Sequence, residues 1–140
     1  MDHTRIQQTW AQFLLRMDAV RPAAEIAATL EETAKSHGFS VLGSYPFQEI
    51  LQTKGFPIQR AAFNVNICHA PTAQEILTRQ PEFGIFMPCT LSVYEENGRS
   101  VVATLNMDSL LPSMVADPDL LARLQAMFAR MRDLMKDLAA

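Results

Sequence analysis

The stretch from Phe63 to Asn106 constrains the fold most strongly, because it contains the clearest strand and turn signals of the chain. Within Arg60–Cys68, apolar and polar side chains alternate, which predicts a strand with one buried face. The same spacing of two predicts a long second strand with an apolar face formed by Ile85, Met87, Cys89, Leu91 and Val93. Glu96-Asn97-Gly98 predicts a hairpin, whose return strand has an apolar face of Val101, Ala103 and Leu105.

Two loop lengths compete for this hairpin, and they differ in which side chains share a face of the sheet. A two-residue Asn-Gly loop would pair Val93 with Val102 and separate the two apolar faces. A three-residue loop, with Gly98 in the left-handed conformation, would pair Val93 with Val101 and bring the apolar faces together. We therefore expect the three-residue loop.

The segments before this stretch predict alternating helices and strands. Residues 1–10 predict an irregular or helical lead, and a strand follows over roughly residues 11–18. A helix opens at Arg21-Pro22 and stops at Gly38, since proline suits a helix start and glycine its end. Phe39–Tyr45 predicts a strand and Phe47–Lys54 a short helix.

Two further helices follow the first strand of the central stretch. Thr72-Ala73-Gln74-Glu75 matches a capping box, so a helix should start at Thr72 and finish before Pro81. Asp117-Pro118 opens a long terminal helix over residues 117–138, where apolar side chains keep helical spacing. The fold class is therefore α+β: a single two-layer domain over residues 1–140, with an antiparallel sheet of about four to five strands and two main helices on one face.

Composition and charge narrow the function classes. The net charge is −3 and the cationic side chains are scattered, which argues against a nucleic-acid partner. No apolar run approaches the roughly 20 residues needed to span a bilayer, and the first ten residues lack a secretory pattern. We expect a cytoplasmic protein without a membrane partner, in which the two cysteines are reduced.

Cys68, His69 and Cys89 form the one soft, reactive cluster in the sequence, and they are the candidate ligand-binding and metal-binding residues. A cysteine thiolate is both a nucleophile and a metal ligand, so Cys68 and Cys89 are also the candidate catalytic thiols. Cys68 falls on the polar side of its strand, beside a helix start that would stabilise a thiolate. Cys89 falls on the apolar side, where a cysteine commonly acts as a small buried apolar residue. Pro88 marks a bulge, an edge or exposed backbone next to Cys89.

The sequence resembles the domain-of-unknown-function 302 family from about Phe13 to Leu138. The resemblance is carried by Gly-Phe-x-Val after the first helix, the Cys-x-x-Pro turn at Cys68–Pro71, Pro-Glu-x-Gly-x-x-x-Pro-Cys at Pro81–Cys89 and Val-Tyr-Glu-x-Asn-Gly at Val93–Gly98. It implies a small α+β fold with a curved antiparallel sheet, related to the halves of TATA-binding protein and often dimeric. The family has no established activity.

One departure from the family pattern bears on function. The more widespread form has Gly-Asn-Pro where this chain has Cys68-His69-Ala70-Pro71, which places the chain in a cysteine-bearing subset. That subset is similar to proteins of archaea and sulfur-metabolising bacteria. The resemblance therefore implies thiol, sulfur or metal chemistry, although it names no cofactor.

Three hypotheses remain open at this point. The first is a binding domain that holds a small ligand, a sulfur species or a soft metal near Cys68, His69, Pro88 and Cys89. The second is a thiol-redox protein or sulfur carrier with its transfer partner, in which Cys68 reacts and Cys89 resolves. The third is a structural or regulatory homodimer held by the Met/Leu face of the last helix. We rank the binding domain first because no complete catalytic constellation is visible. The sequence leaves enzymatic activity open, with the balance of its features against it.

Overall fold

The computed structural model describes residues 2–140, and its centre is one five-stranded sheet. The strands are β1 (Leu14–Ala19), β2 (Ser40–Pro46), β3 (Ala62–Cys68), β4 (Cys89–Glu96) and β5 (Arg99–Leu105). The helices are α1 (His3–Phe13), α2 (Ala23–Ser36), α3 (Phe47–Thr53), α4 (Ala70–Arg79), α5 (Leu111–Met114) and α6 (Pro118–Ala139). A 3-10 helix over Pro81–Phe86 lies between α4 and β4.

The sheet is antiparallel throughout, with the strand order β1-β5-β4-β3-β2. β4 lies at the centre, and β1 and β2 form the edges. Because neighbouring strands run in opposite directions, the end of β3, the start of β4, the end of β5 and the start of β1 meet at one end of the sheet. The predicted α+β class is confirmed.

Two long helices cover one face of the sheet. On α2, the buried side chains Ala23, Ile26, Leu30 and Ala34 recur every three or four residues, as expected for one helical face. The longer α6 buries eight side chains with the same spacing: Leu120, Leu124, Met127, Phe128, Met131, Leu134, Met135 and Leu138. Together with alternate residues of β3 and β4 and with Val102 of β5 they form one core cluster. We call this the core face, and the opposite side the outer face.

The terminal and edge elements follow the sequence expectations closely. The lead is helical: α1 ends at Phe13, so β1 begins at Leu14, three residues later than expected, and Met1 lies outside the described residues. Gly38, with a φ of 85°, stops α2 as predicted. The Asp117 side chain accepts hydrogen bonds from the backbone N–H groups of Asp119 and Leu120, which confirms the predicted start of α6.

The predicted hairpin register is wrong. Val93 pairs with Val102 and Glu96 pairs with Arg99, so the loop contains two residues, Asn97 and Gly98, rather than three. Their φ values are 52° and 76°, and two successive left-handed residues are the requirement of a type I′ turn, for which Asn-Gly is a preferred sequence. The local turn preference therefore determined the register.

The apolar pattern of β5 misled the register prediction because this strand is buried on both faces. Val102 lies in the core cluster, whereas Val101 and Ala103 lie on the outer face and are nevertheless buried. On that face the Arg16 side chain of β1 donates a 2.7 Å hydrogen bond to Glu96 of β4. Since β5 lies between β1 and β4, this ion pair crosses the outer face of β5.

The long strand predicted from Ile85 begins only at Cys89. Ile85 lies in the 3-10 helix, where 82% of its surface is exposed, and Pro88 directly precedes the first strand residue. A proline there removes no hydrogen bond from the strand ladder. Among the described residues, no helix is long and apolar enough to cross a membrane.

Candidate functional site

A pocket of about 490 Å³ opens at the end of the sheet where β3, β4, β5 and β1 meet. All four residues singled out by the sequence contribute to its wall: Cys68, His69, Pro88 and Cys89. This volume lies within the range of roughly 300–1,000 Å³ that is typical of small-molecule sites. The structure thus brings the candidate residues together around one cavity.

Most of the wall is apolar and comes from elements that the sequence analysis did not connect with the site. The 3-10 helix supplies Phe83, Ile85 and Phe86, and Met87 follows it directly. The α-helices supply Trp10, Phe13, Ala73, Ile76, Met127 and Phe128. The rings of Phe83 and Phe86 are tilted against each other, with centroids 5.2 Å apart. A sequence signal existed: two prolines and a glycine within Pro81–Pro88 mark a segment that cannot be a regular strand.

The wall carries no net charge. Among the residues that the structure describes, those lining the pocket include no Asp, Glu, Lys or Arg. Two hydroxyl groups of the wall are engaged within the protein: Thr104 donates to the backbone oxygen of Thr90 at 2.7 Å, and Thr90 donates to the side-chain oxygen of Asn66 at 3.0 Å. The pocket therefore offers mainly apolar contacts to an occupant.

His69 is fixed in place at the start of α4. Its Nδ1 atom and the hydroxyl of Thr72 share a 2.7 Å hydrogen bond, and its ring lies 5.7 Å from that of Phe39, centroid to centroid. Burial, and to a smaller extent the Arg130 guanidinium, lower the pKa of His69 below its ordinary value. The shift favours the uncharged imidazole.

The helix at this site starts earlier than the predicted capping box. α4 begins at Ala70 with His69 as its N-cap residue, so Thr72 already lies within the first turn and is buried. The backbone N–H of Ala73 donates to the His69 carbonyl at 2.9 Å and closes this turn. Pro71, without a backbone donor, suits the first turn. Glu75 pairs instead with Arg79, at 2.9 Å.

The two cysteines are neighbours across β3 and β4 but point to opposite faces. Cys89 is directly opposite Ile67 and packs against the core cluster. Cys68 comes one residue after Ile67 in β3, so its side chain lies on the other face of the sheet. Both thiols are free. Disulfide geometry requires Cβ atoms that point toward each other, which this register does not favour.

Burial raises the pKa of the Cys89 thiol to about 11, and the neighbouring Cys68 adds to the shift. Since the ordinary value is 9.0, the thiolate fraction of Cys89 at neutral pH is about 100-fold lower than in the unfolded chain. In the described part of the chain, no group of three His, Cys, Asp or Glu side chains is arranged to hold a metal ion. Cys68, His69 and Cys89 therefore share a pocket wall without forming a ligand set.

The alkylation rate of Cys89 should follow from this shifted pKa. At pH 7.5 we expect iodoacetamide to modify Cys89 about 100-fold more slowly in the native protein than in urea, because the thiolate is the reactive form. The native rate should rise until about pH 11. Because the folded pKa exceeds the unfolded value, the stability contributed by the protonated thiol should be lost as the pH rises from 9 through 11. Peptide mass spectrometry gives the alkylation rates of Cys89 in the native protein and in urea. Equal rates at pH 7.5 would contradict the raised pKa of its thiol.

The fold and the pocket together define an α+β protein with an antiparallel sheet, helices on one face and an uncharged pocket at one end of the sheet. The family model described as "Domain of unknown function DUF302" matches residues 16–138, so the chain belongs to this family. The match begins within β1, and α1 precedes it.

A solved structure supports the same fold. The chain is similar to the protein described as "uncharacterized conserved protein DUF302" from Bacillus stearothermophilus, with 28% sequence identity and a TM-score of 0.79. The similarity covers 91% of this chain and 98% of that one. No curated protein matches the chain.

Proposed function

We propose that this protein is a binding domain for an uncharged, mainly apolar small molecule, held in the pocket at the end of the sheet. The observation that carries the proposal is the composition of the pocket wall. It encloses about 490 Å³ and consists mainly of aromatic, aliphatic and sulfur-containing side chains, without an Asp, Glu, Lys or Arg. Apolar contact area would supply most of the affinity, at roughly 25 cal/mol for each Å² of apolar surface removed from water.

The protonation of the polar side chains in the pocket wall supports an uncharged ligand. A charged group moved into an apolar pocket without a partner loses its hydration and gains little in return. The lowered pKa of His69 and the raised pKa of Cys89 favour the neutral form of both groups, which supply no counter-charge in that form. The thioether sulfurs of Met87, Met107 and Met127 are polarizable and adapt to irregular apolar shapes.

The same observations weigh against a dithiol mechanism. A resolving cysteine attacks as a thiolate, and Cys89 remains protonated far above neutral pH. The register directs the Cys68 and Cys89 side chains to opposite faces, so a bond between them would require the backbone to move. In the proposed function, these cysteines serve as wall residues of the pocket.

The proposal can be tested with two fluorescent dyes that are both apolar but differ in charge. Nile red is uncharged and apolar, whereas 1-anilinonaphthalene-8-sulfonate is apolar but anionic. We expect saturable Nile red binding at about one dye per chain, and binding of the anionic dye weaker by about tenfold or more, because the pocket wall includes no cation. Fluorescence titration gives both affinities. Failure of Nile red to saturate, or preference for the anionic dye, would contradict the proposal.

A further inference from the structure

The helix α1 presents an apolar stripe that the rest of the fold covers only in part. Ile6, Trp10 and Phe13 are spaced by four and three residues and so share one helical face. None of the residues of α1 is buried, and 60% of the Trp10 surface is exposed. A large part of the indole surface is therefore in contact with water.

The stripe is positioned at the pocket. Trp10 and Phe13 both contribute to the pocket wall, whereas Ile6, one turn before Trp10, does not. The backbone N–H of Asn106, just after β5, donates a 2.6 Å hydrogen bond to the Phe13 carbonyl and ties the end of α1 to this end of the sheet. The exposed side chains of Ile85 and Leu105 also belong to the wall.

From these observations we infer that Trp10 is a ligand-contacting residue, and that α1 supplies an additional apolar wall for the occupant of the pocket. This inference rests on the proposed function. An uncharged apolar ligand would remove water from the exposed indole, and aromatic surface buried in this way contributes strongly to binding. Since α1 precedes the family match, this contact belongs to a part of the chain outside the matched region.

Trp10 is the one tryptophan of the sequence, so its emission reports directly on this contact. On titration with Nile red, we expect Trp10 emission to be quenched, and the quenching to saturate at the same dye concentration as Nile red fluorescence. Trp10→Ala should weaken Nile red binding about tenfold, whereas Trp10→Phe should retain most of the affinity. Ile6→Ala is the matched control on the same helix and should leave the affinity unchanged.

The possible results separate this inference from the proposed function. If Nile red saturates the wild-type protein but Trp10→Ala binds it equally well, the inference about Trp10 is overturned. The proposed binding function would still be supported. If Nile red does not saturate the wild-type protein, the proposed function and the inference both fail. If Trp10 emission responds to protein concentration and not to dye, a second copy of the chain covers α1, and the inference is again overturned. Circular dichroism establishes that each variant is folded.

Discussion

Replacing Ala73 with Phe should reduce the affinity for Nile red at least about tenfold. Ala73 lies in the first turns of α4, and its side chain is part of the pocket wall. A phenyl ring at this position would occupy space that a ligand needs. The ligand would then bury less apolar surface against the pocket wall and bind more weakly. The effect should appear as a raised dissociation constant in a fluorescence titration.

Ala28→Phe is the matched control for this prediction. Ala28 also lies on a helix, α2, but it is exposed and lies outside the pocket wall. The same substitution there changes apolarity and size equally and should leave Nile red binding unchanged. If Ala73→Phe remains folded and binds the dye as tightly as the wild type, the dye occupies another surface.

Replacing Leu134 with Ala should destabilise the fold by about 2–5 kcal/mol, the range measured when a buried leucine is truncated and leaves a cavity. Leu134 is fully buried on α6 and belongs to the core cluster between the helices and the sheet. The midpoint of urea unfolding, followed by circular dichroism, measures the change. Leu77→Ala on α4 provides the control, because Leu77 is 55% exposed and its truncation should cost about 1 kcal/mol or less. Equal losses for the two variants would contradict the packing of α6 against the sheet.

The fold was predictable where local and long-range signals agree. The Asp117-Pro118 start and the helical apolar spacing of α6 point to one answer, and the structure has that helix at Pro118–Ala139. The hairpin was not predicted correctly because its signals disagree: the apolar pattern of Val101, Ala103 and Leu105 favours one register, and Asn97-Gly98 favours another. The ion pair of Arg16 with Glu96, 80 positions apart in sequence, crosses the outer face of β5, where Val101 and Ala103 are buried. A contact between residues so far apart leaves no trace in a local sequence pattern.

The candidate site was predictable in part. Cys68 and Cys89 could be placed on opposite faces because strand periodicity has a period of two, and the register confirms that placement. Their chemical state could not be inferred, since the raised pKa of Cys89 depends on burial by elements distant in sequence. The apolar wall was missed for the same reason, because Trp10, Phe83 and Phe128 meet only after the chain has folded.

The most direct test of an uncharged apolar pocket is a map of the backbone amides that respond to Nile red in two-dimensional NMR spectra. The account predicts saturable chemical-shift changes concentrated at Cys68–Ala73, Phe83–Thr90 and Thr104–Met107, the segments that contribute to the pocket wall. Phe56 and Leu42 are exposed apolar residues outside that wall, and their amides should not respond. Changes centred on Phe56 and Leu42, with the three wall segments unaffected, would contradict the account.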